Sequence, residues 1–251
     1  MLEFAKLSLS LQAITKMKSL LLLILVCAFL CCSNTSPVTH EMQNSEEQRE
    51  VDSIVDSTLL FLYFKAKDYP DSTFADSAIS LTDSMLYVYK ESESKHLKYA
   101  FQKILFLTTT NRMDSAIDLL QKDSCVWWEK MGGPYYKRIL EHRILAMKAK
   151  VNNDTTQYKE NIKEALQLVE KYISENEEEY ISFLKTQHQD QRGPFVVIFQ
   201  GYIYYSYLLY GQEEADKILK TYIDNYHVGE EYINWLKGFL YKTDIMEFSP
   251  V

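Results

Sequence analysis

The sequence predicts an all-α protein, an α-solenoid of about nine helices arranged as consecutive hairpins. Glycine and proline are scarce, with 7 and 5 copies among 251 residues, whereas all-β folds need many turn residues. From residue 46 onward, apolar residues recur at the helical period almost everywhere. The one β-rich run, residues 195–210, is too long for an ordinary strand and its polar positions do not alternate, which favours a buried helix.

The first element is an export segment. Lys16 and Lys18 precede an unbroken apolar run over residues 20–30. This run is shorter than the ~20 residues that a hydrocarbon core requires, and a basic start before a short apolar stretch is typical of a secretory signal. A signal that starts at Met17 is complete without residues 1–15, so Met17 is an alternative start of the protein.

The apolar run ends at two adjacent cysteines, Cys31 and Cys32. This junction resembles the lipobox of bacterial lipoproteins, in which a peptidase cuts before a cysteine that carries diacylglycerol and acyl chains such as palmitate. The resemblance implies that residues 1–31 are removed and that Cys32 is lipidated; with Cys31 as the alternative, the bulky Leu30 would stand before the cut. An ordinary signal peptide is the other interpretation. The polar residues 32–45 predict a flexible tether.

Residues 46–251 form the predicted helical-repeat domain. Pro70 separates the first two helices. A third helix is expected from about Lys95 to Thr110, and a short fourth one begins after a cap at Asn111. These boundaries follow from the apolar stripes and from the residues that stop or cap a helix.

Two tripeptides punctuate the second half of the domain. GGP ends at Pro134 and RGP ends at Pro194, and proline is favoured in the first turn of a helix. Each tripeptide therefore predicts the start of a helix that turns into a second, amphipathic one. A last helix near residues 232–240 closes the chain.

Two of these hairpins carry a resemblance to a known repeat. They read YAFQKILFLTTTNRMDSAIDLLQKD, residues 99–123, and YYSYLLYGQEEADKILKTYIDNY, residues 204–226. Both resemble the second half of helix A, the turn and helix B of a tetratricopeptide repeat. Asn111 and Gly211 stand at the turn glycine of the family, and Ala116 and Ala215 stand at its packing alanine. The resemblance implies stacked hairpins whose first helices line a groove; a non-repeating helical bundle is the alternative.

The charge of the chain excludes some kinds of partner. The formal charge is −8, and residues 32–251 carry 24 basic and 34 acidic side chains, a charge of −10. An acidic surface without a basic stripe argues against nucleic-acid binding and against electrostatic docking to anionic lipid.

The motifs that usually carry chemistry are not found in the sequence. It has no glycine-rich nucleotide loop and no nucleophile elbow, and its five histidines are scattered. Neither a cofactor nor a metal is expected. Cys125 is expected to be a buried, inert thiol, and one of Trp127 and Trp128 is expected to anchor the following loop in the core. The acidic run at residues 175–179 is expected to be a solvated face.

The candidate binding residues lie on the helices that the repeat resemblance places along the groove. They are Tyr135, Arg138, Glu141, Tyr202 and Tyr205. Tyrosine offers a rigid contact surface with a polar tip, which suits recognition of a partner; packing of these tyrosines between hairpins is the alternative.

The sequence therefore predicts a lipid-anchored, non-catalytic scaffold of a bacterial cell envelope. Its membrane is expected to be the outer one, with the domain facing the periplasm or the cell surface, and its partner a protein or peptide. A module that holds a glycan or small ligand in an aromatic groove is the first alternative. An enzyme with an unrecognised carboxylate site is the second.

Overall fold

The described part of the chain consists of helices joined by short turns and loops. The computed structural model describes residues 37–68, 72–185, 194–226, 229, 233–234, 236–238, 241 and 245. Between Pro37 and Tyr226, these residues form ten helices. They are α1 (Pro37–Asp68), α2 (Ser72–Val88), α3 (Glu93–Thr109), α4 (Met113–Lys122), α5 (Trp127–Gly132), α6 (Tyr136–Val151), α7 (Thr155–Glu175), α8 (Glu177–Lys185), α9 (Pro194–Tyr210) and α10 (Gln212–Tyr226). The all-α prediction is confirmed.

The chain divides into two compact units, residues 1–57 and 58–251. The described part of the first unit is helical, with a hydrogen bond of 3.3 Å from the Gln48 side chain to Asp52. Helix α1 begins at Pro37, so residues 37–45 of the expected tether are helical. Proline is well suited to the first turn of a helix, and no glycine follows it in α1. The predicted signal, residues 1–31, and Cys32 lie outside the described residues.

Within the second unit, helices pack as consecutive hairpins. Neighbouring helices pair as α2 with α3, α3 with α4, α6 with α7, and α9 with α10. The hairpins are joined by contacts of α4 with α6 and of α7 with α9. In this arrangement the second helix of one hairpin packs on the first helix of the next, as in an α-solenoid.

Three hairpin turns share a residue in the left-handed backbone conformation. These residues are Asn111 with φ 58°, Asn153 with φ 56° and Gly211 with φ 90°. Asn111 was expected to cap α4, but the cap residue is Arg112. Asn111 instead takes the left-handed turn position, because asparagine tolerates this conformation better than most residues. In the first turn, the Arg112 N–H donates to the Leu107 carbonyl at 2.7 Å, which closes the end of α3.

The core of the second unit combines small residues on the second helices with large aromatic ones. Ala116 on α4 and Ala215 on α10 are fully buried, so their helices can approach the partner helix closely. Trp128 is also fully buried, and its ring centroid lies 4.8 Å from that of Phe101. The expectation that one tryptophan anchors this loop in the core is confirmed for Trp128.

Candidate functional site

Tyr135 lies at the surface where the start of α6 meets the end of α7. Its hydroxyl donates to the two carboxylate oxygens of Glu175, at 3.0 and 2.8 Å. The Lys171 ammonium lies 4.8 Å from the centroid of the Tyr135 ring, within the range of a cation–π contact. The Tyr135 hydroxyl and the Glu175 carboxylate raise the pKa of Lys171 above its ordinary value. The ring, the ammonium and the carboxylate are thus held in one arrangement before any partner arrives.

Arg138 stands beside this arrangement, one helical turn after Tyr135. Its side chain is exposed and makes no ion pair with any residue in the described ranges. It lies close enough to Lys171 for the two positive charges to repel, and this repulsion opposes the rise in the pKa of Lys171. An exposed guanidinium with a cation beside it is open to pairing with an acceptor on another molecule.

The other two surface candidates, Glu141 and Tyr202, are not part of the arrangement of Tyr135, Lys171 and Glu175. Glu141 is half-buried and accepts a hydrogen bond of 2.7 Å from the Gln121 side chain of α4. Tyr202 on α9 is also half-buried, and burial raises its pKa, with smaller contributions from the carboxylates of Glu170 and Glu214. The two residues lie on opposite sides of the Tyr135 region, toward α4 and toward α9 and α10.

Tyr205 is in the core, which corrects its assignment as a partner-facing residue. Only 4% of its surface is exposed. Its pKa is raised by burial, against the effect of the nearby Arg143 guanidinium. Tyr136 is also buried. Burial and the neighbouring Tyr205 raise the pKa of Tyr136, and the Arg143 guanidinium opposes this rise. Helix α9 is apolar almost all round, so its pattern does not show which tyrosine is buried; the Tyr205 ring packs beside Gly201.

An open depression adjoins the turn between α9 and α10. It has a volume of about 350 Å³ and is lined by Tyr210, Glu213, Glu214 and Lys217. The Tyr210 side chain is 61% exposed. The Lys217 ammonium lies 3.2 Å from Glu214, and the two glutamates raise its pKa, Glu214 more than Glu213. The sequence predicted the turn at Gly211, but it did not single out the four side chains that line this depression.

A second polar cluster surrounds Asp123 in the loop between α4 and α5. The Asp123 side chain is 5% exposed and accepts hydrogen bonds from the backbone N–H of Cys125 at 2.9 Å and from Trp128 Nε1 at 3.1 Å. His96 Nε2 lies 3.1 Å from the same carboxylate, and the Lys137 ammonium donates to the Asp123 carbonyl. Sequence reasoning treated His96 as isolated, since its partner is 27 residues away. All of these contacts tie helices to the loop, so the cluster is structural.

The residues that the structure describes form neither a cluster of metal ligands nor a membrane-spanning helix. Within these ranges, no group of three or more histidine, cysteine, aspartate or glutamate side chains is placed to hold a metal ion. None of the helices there combines the length and apolar character needed to cross a membrane. Comparison with known proteins adds no assignment, since no protein-family model, curated protein or solved structure matches the chain.

Proposed function

We propose that this chain is a lipid-anchored, non-catalytic scaffold of a bacterial cell envelope that binds a protein or peptide partner. The anchor is diacylglycerol on Cys32, and the binding region is the surface around Tyr135, which we call the Tyr135 platform: Tyr135, Arg138, Lys171 and Glu175. The observation that carries the binding proposal is the ordered contact of Tyr135 with Lys171 and Glu175 beside the exposed Arg138.

Three physical features of the platform support this proposal. First, Tyr135 is already held by Glu175, so little side-chain freedom is lost when a partner packs on the ring. Second, tyrosine and arginine are the residue types that contribute most often to binding energy at protein interfaces. Third, the platform is built from the two helices of one hairpin, α6 and α7, which pack together and give it a rigid base.

The anchor is tested by replacing each cysteine in turn. In cells that lipidate exported proteins, we expect Cys32→Ser to abolish incorporation of radioactive palmitate and to move the protein to the soluble fraction. Cys31→Ser is the matched control and is expected to leave both properties unchanged. If Cys31→Ser alone abolishes labelling, the acylated residue is Cys31; if neither change does, the anchor proposal is refuted.

Partner binding is tested on the platform. With the full chain recovered from membranes after cross-linking, we expect the pair Tyr135→Ala and Arg138→Ala to reduce the yield of a stoichiometric protein partner by about tenfold or more, the size of a hot-spot loss. Lys163→Ala, an exposed lysine of α7 away from the platform, is the control and is expected to retain the partner. Circular dichroism checks that the double variant is folded.

Two results would contradict the proposal. If the double variant and the control recover the partner equally, the platform is not the binding surface. If the chain binds glycans in the absence of any protein partner and Tyr210→Ala abolishes that binding, the glycan or small-ligand module is favoured instead. The exposed Tyr210 in its open depression is the observation that keeps this second function in consideration.

A further inference from the structure

The second half of α1 has apolar side chains on two faces. On one face, Leu59 and Leu62 are buried in the core. On the other, Leu60, Phe61 and Phe64 are 58%, 45% and 55% exposed. We call these three residues the outer face of α1.

An apolar outer face is unusual for the first helix of a stacked array. Arrays of helical hairpins end on a polar surface, because the last face has no neighbour to cover it. Adjacent large apolar side chains at a protein surface mark a site of contact with another molecule or with a membrane. The outer face of α1 is therefore expected to be covered when the protein is in its working location.

The small size of this face argues against a second copy of the chain as its cover. Three half-exposed side chains amount to a few hundred Å² at most, whereas a stable protein interface buries about 800 Å² on each partner. A lipid bilayer requires neither a large area nor a complementary shape. A few apolar side chains can insert beside a covalent anchor that already holds the protein at the surface.

The order of features along the chain places a bilayer within reach. The first stretch outside the described residues ends at residue 36, and the proposed lipid attachment at Cys32 lies within it. Helix α1 is thus the first described element after the attachment point. Its last turn carries Lys65 and Lys67, and the Lys65 ammonium lies 5.7 Å from the centroid of the Phe61 ring. Phenylalanine, leucine and lysine are residue types that are found where a protein surface meets lipid headgroups.

We propose that the outer face of α1 inserts into the headgroup region of the same membrane that holds the lipid anchor. This inference rests on the proposed anchor at Cys32. Leu60, Phe61 and Phe64 enter the boundary between headgroups and acyl chains. Zwitterionic lipid is the expected surface, because residues 32–251 carry a formal charge of −10, which disfavours an anionic one. The second contact would fix how the helical array is oriented on the membrane.

The test uses the full lipidated chain in vesicles of phosphatidylethanolamine and phosphatidylcholine. Cys125→Ser removes the thiol of the body, and Phe64→Cys then carries an environment-sensitive fluorophore. We expect phosphatidylcholine brominated on its acyl chains to quench about half of the fluorescence at position 64, because the label lies near the acyl boundary. Lys163→Cys in the same background is the matched control at an exposed position of α7 and is expected to keep its fluorescence. Phe61→Cys provides a second reporter on the outer face.

The outcomes separate this inference from the anchor on which it rests. If the vesicles retain the protein but the fluorescence of the label at position 64 is not quenched, the inference is overturned and the anchor proposal stands. The inference is also overturned if, without vesicles, the label at position 64 is shielded from water and this shielding grows with protein concentration. That result would favour a second copy of the chain as the cover. If neither Cys32→Ser nor Cys31→Ser abolishes palmitate labelling while position 64 is quenched, the anchor proposal fails and contact through the outer face is supported.

Discussion

Replacing Asp123 by alanine is expected to lower the free energy of unfolding by about 3 to 5 kcal/mol, the usual cost of removing one partner from a buried charged cluster. The carboxylate is 5% exposed and receives hydrogen bonds from Cys125 N–H and Trp128 Nε1. Alanine would leave these donors without an acceptor in a place that water enters poorly. It would also remove the contact of His96 of α3 with the loop.

Urea-induced unfolding, followed by tryptophan fluorescence, measures this effect, because Trp128 donates directly to Asp123. The matched control is Asp118→Ala, which removes an aspartate whose side chain is 59% exposed and which pairs with Lys122 on the same helix. Exposed pairs of this kind contribute about 0.5 kcal/mol or less. Equal destabilisation by Asp118→Ala and Asp123→Ala would show that the loop cluster has no special role.

The sequence predicted the hairpins well because their determinants are local. The apolar stripe of α4 and the left-handed residue before it lie within a dozen consecutive positions, so the periodicity and the turn residue are visible together. The short helix α8 was not predicted, because its first turn lies within the acidic run and reads as a solvated segment. In the structure, Glu177, Glu178 and Glu179 are exposed at the N-terminus of α8, where negative charge favours a helix.

The side-chain pairs of the candidate site could not be predicted in the same way. Tyr135 and Glu175 are 40 residues apart, and only the packing of α6 on α7 brings them together. Tyr202 and Tyr205 were both expected to face a partner, but Tyr205 is in the core. They are three residues apart on a helix that is apolar almost all round, so the pattern does not reveal which face is inside. The surface character of Arg138, by contrast, followed from its charge alone.

Gly133→Ala is expected to cost about 3 kcal/mol or more, through two separate effects. The backbone at Gly133 has φ 77° and ψ 179°, a region that is essentially open to glycine only. An added Cβ would also stand 2.3 Å from the ring of Tyr172, far inside van der Waals contact. This glycine ends α5 and leads into α6, and Tyr172 lies on α7, so the substitution pushes against the base of the Tyr135 platform.

Two further variants separate the strain from the collision. Gly211→Ala also meets backbone strain at a positive φ of 90°, but no atom lies within 4 Å of the added Cβ. It is therefore expected to cost about 1 to 2 kcal/mol. Adding Tyr172→Ala to Gly133→Ala makes room for the Cβ, so the two changes should destabilise the protein by less than the sum of their separate effects. Urea midpoints of the single and double variants give both comparisons. The prediction is wrong if the two changes are strictly additive, or if Gly133→Ala costs no more than Gly211→Ala. Either result would mean that the loop moves away from Tyr172 and that contact with this ring does not hold the platform in place.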